Sequence, residues 1–251
     1  MGAMTSTSDA EASGPPRTIA FFDVDNTLMR GASIFHVGKE ARRRGYLPLR
    51  DLLRFAWQQA RFLAVGENLK HLRSIRERAL GLAEGHSVAE VAELAEKIFD
   101  ESIERRLWPE TVGLAREHMA QGHEVWLITA TPEVIAGVIA RRLGLTGALG
   151  TRLEQHDGRF TGQLDGSVLH GEEKAVAARA LMIERGAEAA DCWAYSDSRN
   201  DLPLLELVGN RVVVNPDAVL LEHATTHDWS VMRLNRSSIR AARRRVRKES
   251  R

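Results

Sequence analysis

Short apolar runs alternate with longer amphipathic stretches along the chain. The runs at 18–24, 124–129, 191–196 and 211–214 read as buried strands. Between the first two pairs lie Pro109 to Gln121 and Pro132 to Leu143, which read as crossover helices. Each opens with a Pro near its first turn and reaches a Gly, Gly122 or Gly144, just past its end. This alternation predicts an α/β fold with a doubly wound parallel sheet. Thr151 to Leu164 predicts a β-hairpin, with Asp157-Gly158 as its tight turn between Leu153 and Phe160.

The interval from Ser33 to Leu107 follows another rule. Leu49, Leu52, Leu53, Ala56, Ala60 and Leu63 recur at helical spacing, as do Val88, Val91, Ala92, Ala95, Ile98, Phe99 and Ile103. Gly45, Gly66 and Gly85 punctuate the stretch. A helical subdomain inserted between the first two sheet strands is the simplest reading. The expected organisation is therefore a disordered tail at 1–16, a catalytic core at 17–32 and 108–230, a helical insertion at 33–107, and a basic tail at 231–251.

With 251 residues and 43% hydrophobic content, the chain is large enough to bury a substantial core. A formal charge of +1 shows no global preference for nucleic acid or acidic partners. The single Cys192 excludes an intramolecular disulfide and, inside an apolar run, reads as an inert buried thiol. Without a signal-like leader or an apolar run long enough for a membrane span, a cytoplasmic location is expected.

Polar chemistry gathers where the apolar runs end. The first leads into Asp23-Val24-Asp25-Asn26-Thr27, the second into Thr129-Ala130-Thr131-Pro132, and the third into Ser196-Asp197-Ser198-Arg199-Asn200-Asp201. Lys174 lies in a helical stretch just before the third. Taken alone, Asp23 and Asp25 fit either a metal or acid/base site or a solvated strand end with Asp-Asn turn chemistry. In an open parallel sheet, however, ligands bind beyond the carboxyl ends of the strands. All four segments then face one crevice. Four carboxylates so close repel one another unless a cation intervenes, and an all-oxygen set suits Mg²⁺. No His/Cys spacing points to zinc.

The ordered set of DxDxT, a hydroxyl residue after a strand, Lys, and DxxxD resembles the haloacid dehalogenase superfamily of phosphohydrolases, in its phosphoserine-phosphatase-like branch. The resemblance spans residues 18 to 225. It implies that Asp23 and Asp197 bind Mg²⁺ through their side chains and Asp25 through its carbonyl, with Asn200 and Asp201 behind them. It implies that Asp23 is the nucleophile, forming an aspartyl-phosphate, and that Asp25 is the general acid and base. Lys174, the Thr129 hydroxyl and the Ala130 amide, the last at a helix N-terminus, would bind phosphate. The insertion becomes a mobile cap, with Phe55, Trp57 and Phe62 available to face substrate.

Departures from the family pattern narrow the substrate. Members acting on phosphoserine carry a Glu after the first motif that engages the substrate ammonium, and here that position is Ala32. A methyl group cannot pair with an ammonium, so phosphoserine is disfavoured against another small phosphorylated metabolite or lipid precursor. The usual Gly of the last motif is Ser196, which leaves Asp197 in place. Arg78 aligns loosely with a cap arginine that grips a substrate carboxylate, against the alternative that Arg73, Arg76 and Arg78 all lie on solvated helix faces. His36 reads as a surface or packing residue. The same motifs also serve phosphotransferases, and a catalytically silent binding protein is the alternative of another class. Finally, residues 233–251 carry nine Lys/Arg and one acid, Glu249. Such a run reads as a solvated tail, or as a weak contact to anionic membrane or nucleic acid.

Overall fold

Ile19–Phe22 (β1) is fully buried, and the remaining strands are laid out on its two sides. The computed structural model describes residues 17–33, 36, 38, 43 and 83–241. The N-terminal tail, most of the helical insertion with Phe55, Trp57, Phe62, Arg73, Arg76 and Arg78, and the tail past residue 241 lie outside the described residues.

On one side of β1 run Glu124–Pro132 (β2) and then Gly147–Thr151 (β3). On the other run Trp193–Ser196 (β6), Asn210–Val214 (β7) and Ser230–Met232 (β8). Every pairing in this six-stranded sheet is parallel. The chain moves outward from β1 through β2 to β3, then returns to β6 beside β1 and moves outward the other way. The order therefore reverses between β1 and β6, and a crevice opens there at the carboxyl ends. Leu153–His156 (β4) and Arg159–Leu164 (β5) form the expected separate hairpin, with Asp157 and Gly158 both at positive φ in its turn.

Strand residues alternate between two cores. Ala20 and Phe22 join Val125, Leu127 and Tyr195 on one face. That face is covered by Val88–Ile98 (α1), Pro109–Ala120 (α2) and Glu133–Leu143 (α3). Ile19 and Phe21 point the other way, with Ile128, Cys192 and Ala194, beneath Glu172–Arg185 (α4), Leu202–Leu207 (α5) and Ala218–Thr226 (α6). Residues buried on both faces explain why β1 reads as a continuous apolar run.

Several boundaries differ from the sequence expectation. β2 extends to Pro132, so its helix starts at Glu133 with Pro132 as the N-cap. β3 was missed because Gly147 and Gly150 dilute its apolar character; a Cβ on Gly147 would come within 2.5 Å of the Trp126 ring. β8 is only 3 residues long and takes in 231 and 232, assigned above to the tail. Within the predicted insertion, α1 packs against α3 through Ala95 and Ile98 in the core that contains Phe22. Glu96 of α1 also pairs with Arg141 and Arg142 of α3. His36 is buried, so of the two readings above packing applies.

Candidate active site

Asp23 leaves the sheet directly after β1, and its backbone N–H donates to the Tyr195 carbonyl of β6 at 3.0 Å. This bond ties the first acid to the strand that delivers the second acidic motif. The Tyr195 ring stacks on Phe22 with centroids 4.1 Å apart, and its hydroxyl lies 2.8 Å from His118 Nε2. A packed layer thus fixes the base of the crevice.

The chain then turns tightly. Leu28 and Met29 amides both donate to the Val24 carbonyl, and Asn26 adopts φ 59°, a left-handed conformation that Asn tolerates. Asn26 Oδ1 accepts from the Gly31 amide at 3.0 Å, while Trp108 Nε1 donates to the Asn26 carbonyl at 3.2 Å. The turn brings the Ser33 amide to 2.8 Å from Asp25 Oδ1.

Lys174 reaches the same crevice from the third residue of α4. The preceding Gly171 has φ 59° and ψ −125°, a conformation in which glycine is strongly favoured. Lys174 Nζ lies 2.7 Å from Asp23 Oδ1 and 2.7 Å from Asp201 Oδ2. All three side chains are buried. Ser196 Oγ donates to the same Asp201 oxygen at 2.7 Å and accepts from the Ser198 amide at 3.2 Å. Replacement of the family's glycine by Ser196 therefore adds a hydrogen bond to the buried carboxylate. Asp197 follows the end of β6, with the Thr27 hydroxyl 3.5 Å from its Oδ1.

The electrostatics follow from burial. Asp23 is pushed up to about 7 by loss of water, with Lys174 pulling down and Asp201 and Asp25 pushing further up. Burial also raises Asp25, against the hydrogen bonds from Ser33. Asp197 is held well above its ordinary range by burial and then by Asp23 and Asp201. For Lys174, burial alone favours loss of the proton, but Asp201 and Asp23 outweigh it and the net shift is upward. Lys174 thus stays charged and draws Asp23 back towards ionisation, while burial still leaves Asp23, Asp25 and Asp197 favouring their protons until a further cation shares the crevice.

Among the described residues, no three His, Cys, Asp or Glu side chains form a closed metal centre. Mg²⁺ does not need one, because it keeps several waters and is held by one or two carboxylates plus substrate phosphate. The raised carboxyls of Asp23 and Asp197, on facing strand ends, fit that donor set.

Thr129 and Ala130 land less simply. Thr129 is buried, its hydroxyl accepting from the Thr131 amide at 3.2 Å and lying 3.3 Å from Thr131 Oγ1. Thr131 Oγ1 in turn lies 2.7 Å from Ser33 Oγ. Ala130 is not at a helix N-terminus, because β2 continues past it to Pro132; its carbonyl accepts from Thr151 Oγ1 at 2.7 Å. Asn200 lies on the short helix Arg199–Asp201, with its amide donating to Ser198 Oγ. Sequence reasoning overlooked Ser33, Thr131 and the bond made by Ser196. The Thr129/Thr131 spacing of two was the available signal, since it puts two hydroxyls on one face of a strand.

Comparison with known proteins gives a consistent answer. The family described as haloacid dehalogenase-like hydrolase matches residues 20–206. The chain is 50% identical over 213 residues to phosphoserine phosphatase SerB1 of Mycobacterium tuberculosis, covering 84% of this chain and 69% of that protein. It is 31% identical over 230 residues to a histidinol-phosphatase of Neisseria meningitidis, covering 86% of this chain and 98% of the relative. Among solved structures, a Bordetella pertussis protein of unknown function superposes with a TM-score of 0.76 at 30% identity, covering 87% and 99% of the two chains.

Proposed function

Because the chain belongs to the haloacid dehalogenase-like hydrolases, we propose that this phosphatase is a Mg²⁺-dependent phosphomonoesterase that works through an aspartyl-phosphate on Asp23. The observation that carries the reading is Lys174 bridging Asp23 and Asp201, with Asp25 held on the Ser33 amide beside them.

In this reading the Asp23 carboxylate attacks phosphorus and the bond from phosphorus to the substrate alkoxide breaks. Asp25, its carboxyl raised by burial, gives its proton to the departing oxygen. Asp25 then takes a proton from water as that water attacks the aspartyl-phosphate, releasing inorganic phosphate and restoring Asp23. Lys174 stabilises the charge that builds on the phosphoryl oxygens and lowers the cost of ionising Asp23. The Thr129 hydroxyl and the Ala130 amide, the latter from an extended segment, are the remaining candidates to receive phosphate. Asp23, Asp197 and the Asp25 carbonyl would hold Mg²⁺, which supplies charge neutralisation for the phosphoryl group. Asp201 and Asn200 stand behind them.

Metal dependence has a sign that can be measured. Asp23 is raised from 3.8 to about 7, so in the metal-free fold it favours the protonated form. Its contribution therefore destabilises the fold progressively as pH rises from its ordinary value towards 7. Mg²⁺ needs the ionised form and competes with that proton. Mg²⁺ is thus expected to raise Tm more at pH 8 than at pH 6, and EDTA to abolish turnover reversibly. Equal Tm shifts at both pH values, or equal rates with EDTA and Mg²⁺, would count against Asp23 as a ligand.

The substrate reading rests on Ala32, at the turn that carries Asp25. Relatives named for phosphoserine and for histidinol phosphate share the family, so the crevice alone does not select the substrate. With a methyl group where an ammonium anchor is expected, phosphoserine should give a lower kcat/KM than phosphomonoesters lacking an ammonium. A steady-state panel with Mg²⁺ checks this, and the highest kcat/KM for phosphoserine would reject it. Adding an alcohol acceptor to the same assays distinguishes hydrolysis from phosphoryl transfer, since transfer yields a new phosphate ester.

A further inference from the structure

Several arginines among the described residues are matched by acids. Arg141 and Arg142 meet Glu96 and Asp100, Arg152 meets Asp165, Arg17 meets Glu124, and Arg43 meets Glu101. One depression gathers four arginines, three of which lack such a match among the described residues. It has a volume of about 160 Å³ and is lined by Arg30, Arg105, Arg236, Ile239 and Arg240. Among the described residues, no carboxylate pairs with Arg30, Arg236 or Arg240. None of the lining residues belongs to the acidic crevice.

The arginines are brought together by ordered backbone. Arg30 sits on the turn after Asp25, its amide donating to the Arg106 carbonyl at 2.9 Å, which places it beside the segment carrying Arg105. Arg236 and Arg240 come from a helical stretch starting at 236, where residues four apart share a face. Asn235 starts that stretch by accepting the Ser237 amide at 2.8 Å, and Ile239 is buried beneath it. Leu234, just before, is fixed by its amide donating to Asn215 Oδ1 at 2.7 Å. The final strand and helical stretch thus deliver two arginines onto two others from the core.

Guanidinium groups crowded into one concavity repel each other unless an anion lies among them. Their planar forks match phosphate oxygens bidentately, and a dianionic phosphoryl group has enough acceptors for several. The volume admits a group the size of several waters. We infer that Arg30, Arg236 and Arg240, in the depression that Arg105 also lines, form a second phosphate-binding site, outside the catalytic crevice, for a phosphoryl group on either a lipid headgroup or a free phosphorylated anion. The inference does not depend on the catalytic reading. It gives the basic C-terminal run, which continues in sequence with Arg243, Arg244, Arg245, Arg247, Lys248 and Arg251, a defined anchor on the core.

The test uses the full chain and the variant Arg236→Ala/Arg240→Ala, whose side chains are exposed, with Arg30→Ala as an independent second variant. Pyrophosphate is titrated calorimetrically in EDTA, and vesicles of phosphatidylcholine with phosphatidic acid, or with phosphatidylserine at equal surface charge, are co-sedimented. Loss of two arginines is expected to weaken binding about 30-fold, at roughly fivefold per basic residue. Hydrolysis of a soluble phosphomonoester by the double variant should stay within about twofold of wild type, which separates this site from the crevice. Weakened binding of both pyrophosphate and phosphatidic acid vesicles assigns the lipid source; weakened pyrophosphate binding alone assigns the free anion. Equal binding by wild type and both variants to every probe overturns the site.

Discussion

Asp23→Asn is expected to lower kcat by about 10⁴-fold or more, because an amide cannot attack phosphorus and no neighbour can replace it. Asp25 is the nearest carboxylate in sequence, but its Oδ1 already accepts from the Ser33 amide. The substitution keeps shape and leaves Lys174 paired with Asp201, so the fold should survive with Tm within a few degrees. Beryllofluoride, which mimics a phosphoryl group on a carboxylate, should stabilise the wild type in the presence of Mg²⁺ and leave the variant unaffected. Undiminished hydrolysis by a folded Asp23→Asn protein would falsify the mechanism.

Lys174→Met should damage stability as well as rate. It removes the only cation seen among the described residues between two buried carboxylates, each 2.7 Å from Nζ. Breaking a buried pair from one side costs about 3–5 kcal/mol, because the remaining charge stays desolvated. For a chain of this size that is roughly a 10 °C fall in Tm. The deficit has a pH signature. Asp23 already favours its proton up to about 7, and without Lys174 its carboxyl should rise further, so acid neutralises the orphaned charge. The Tm difference between wild type and variant should accordingly be smaller at pH 5 than at pH 8. A pH-independent difference would instead mark Lys174 as a packing residue.

Much of this architecture was legible in the residues. β1 announced itself because a strand buried on both faces has no polar alternation to confuse the reading, and the acids directly after it marked its end. Lys174 was identifiable only through its order relative to the other motifs, since a Lys in the first turn of a helix is otherwise unremarkable. What stayed hidden depends on tertiary closure. β3 carries two glycines, one admitted by the Trp126 ring, and its strand character comes from pairing with β2. The amide that holds Asp25 belongs to Ser33, eight positions away and across a turn set by the left-handed Asn26. Ala130 was placed at a helix start because Pro132 looked like a first-turn residue, whereas the strand runs through to it. No periodicity reports such a contact.

The central position of β1 also governs how the protein must come into being. β1 leaves the ribosome before both of its partners, Glu124–Pro132 and Trp193–Ser196, so its first edge stays uncovered until about a hundred further residues have been made, and its second for longer still. Such pairings close large loops and are slow to form. Until then Ile-Ala-Phe-Phe presents an unpaired apolar edge open to self-association. Nascent chains ending before Ser196 should need chaperone protection, and an N-terminal fragment that contains both acids of the first motif should be insoluble and inactive.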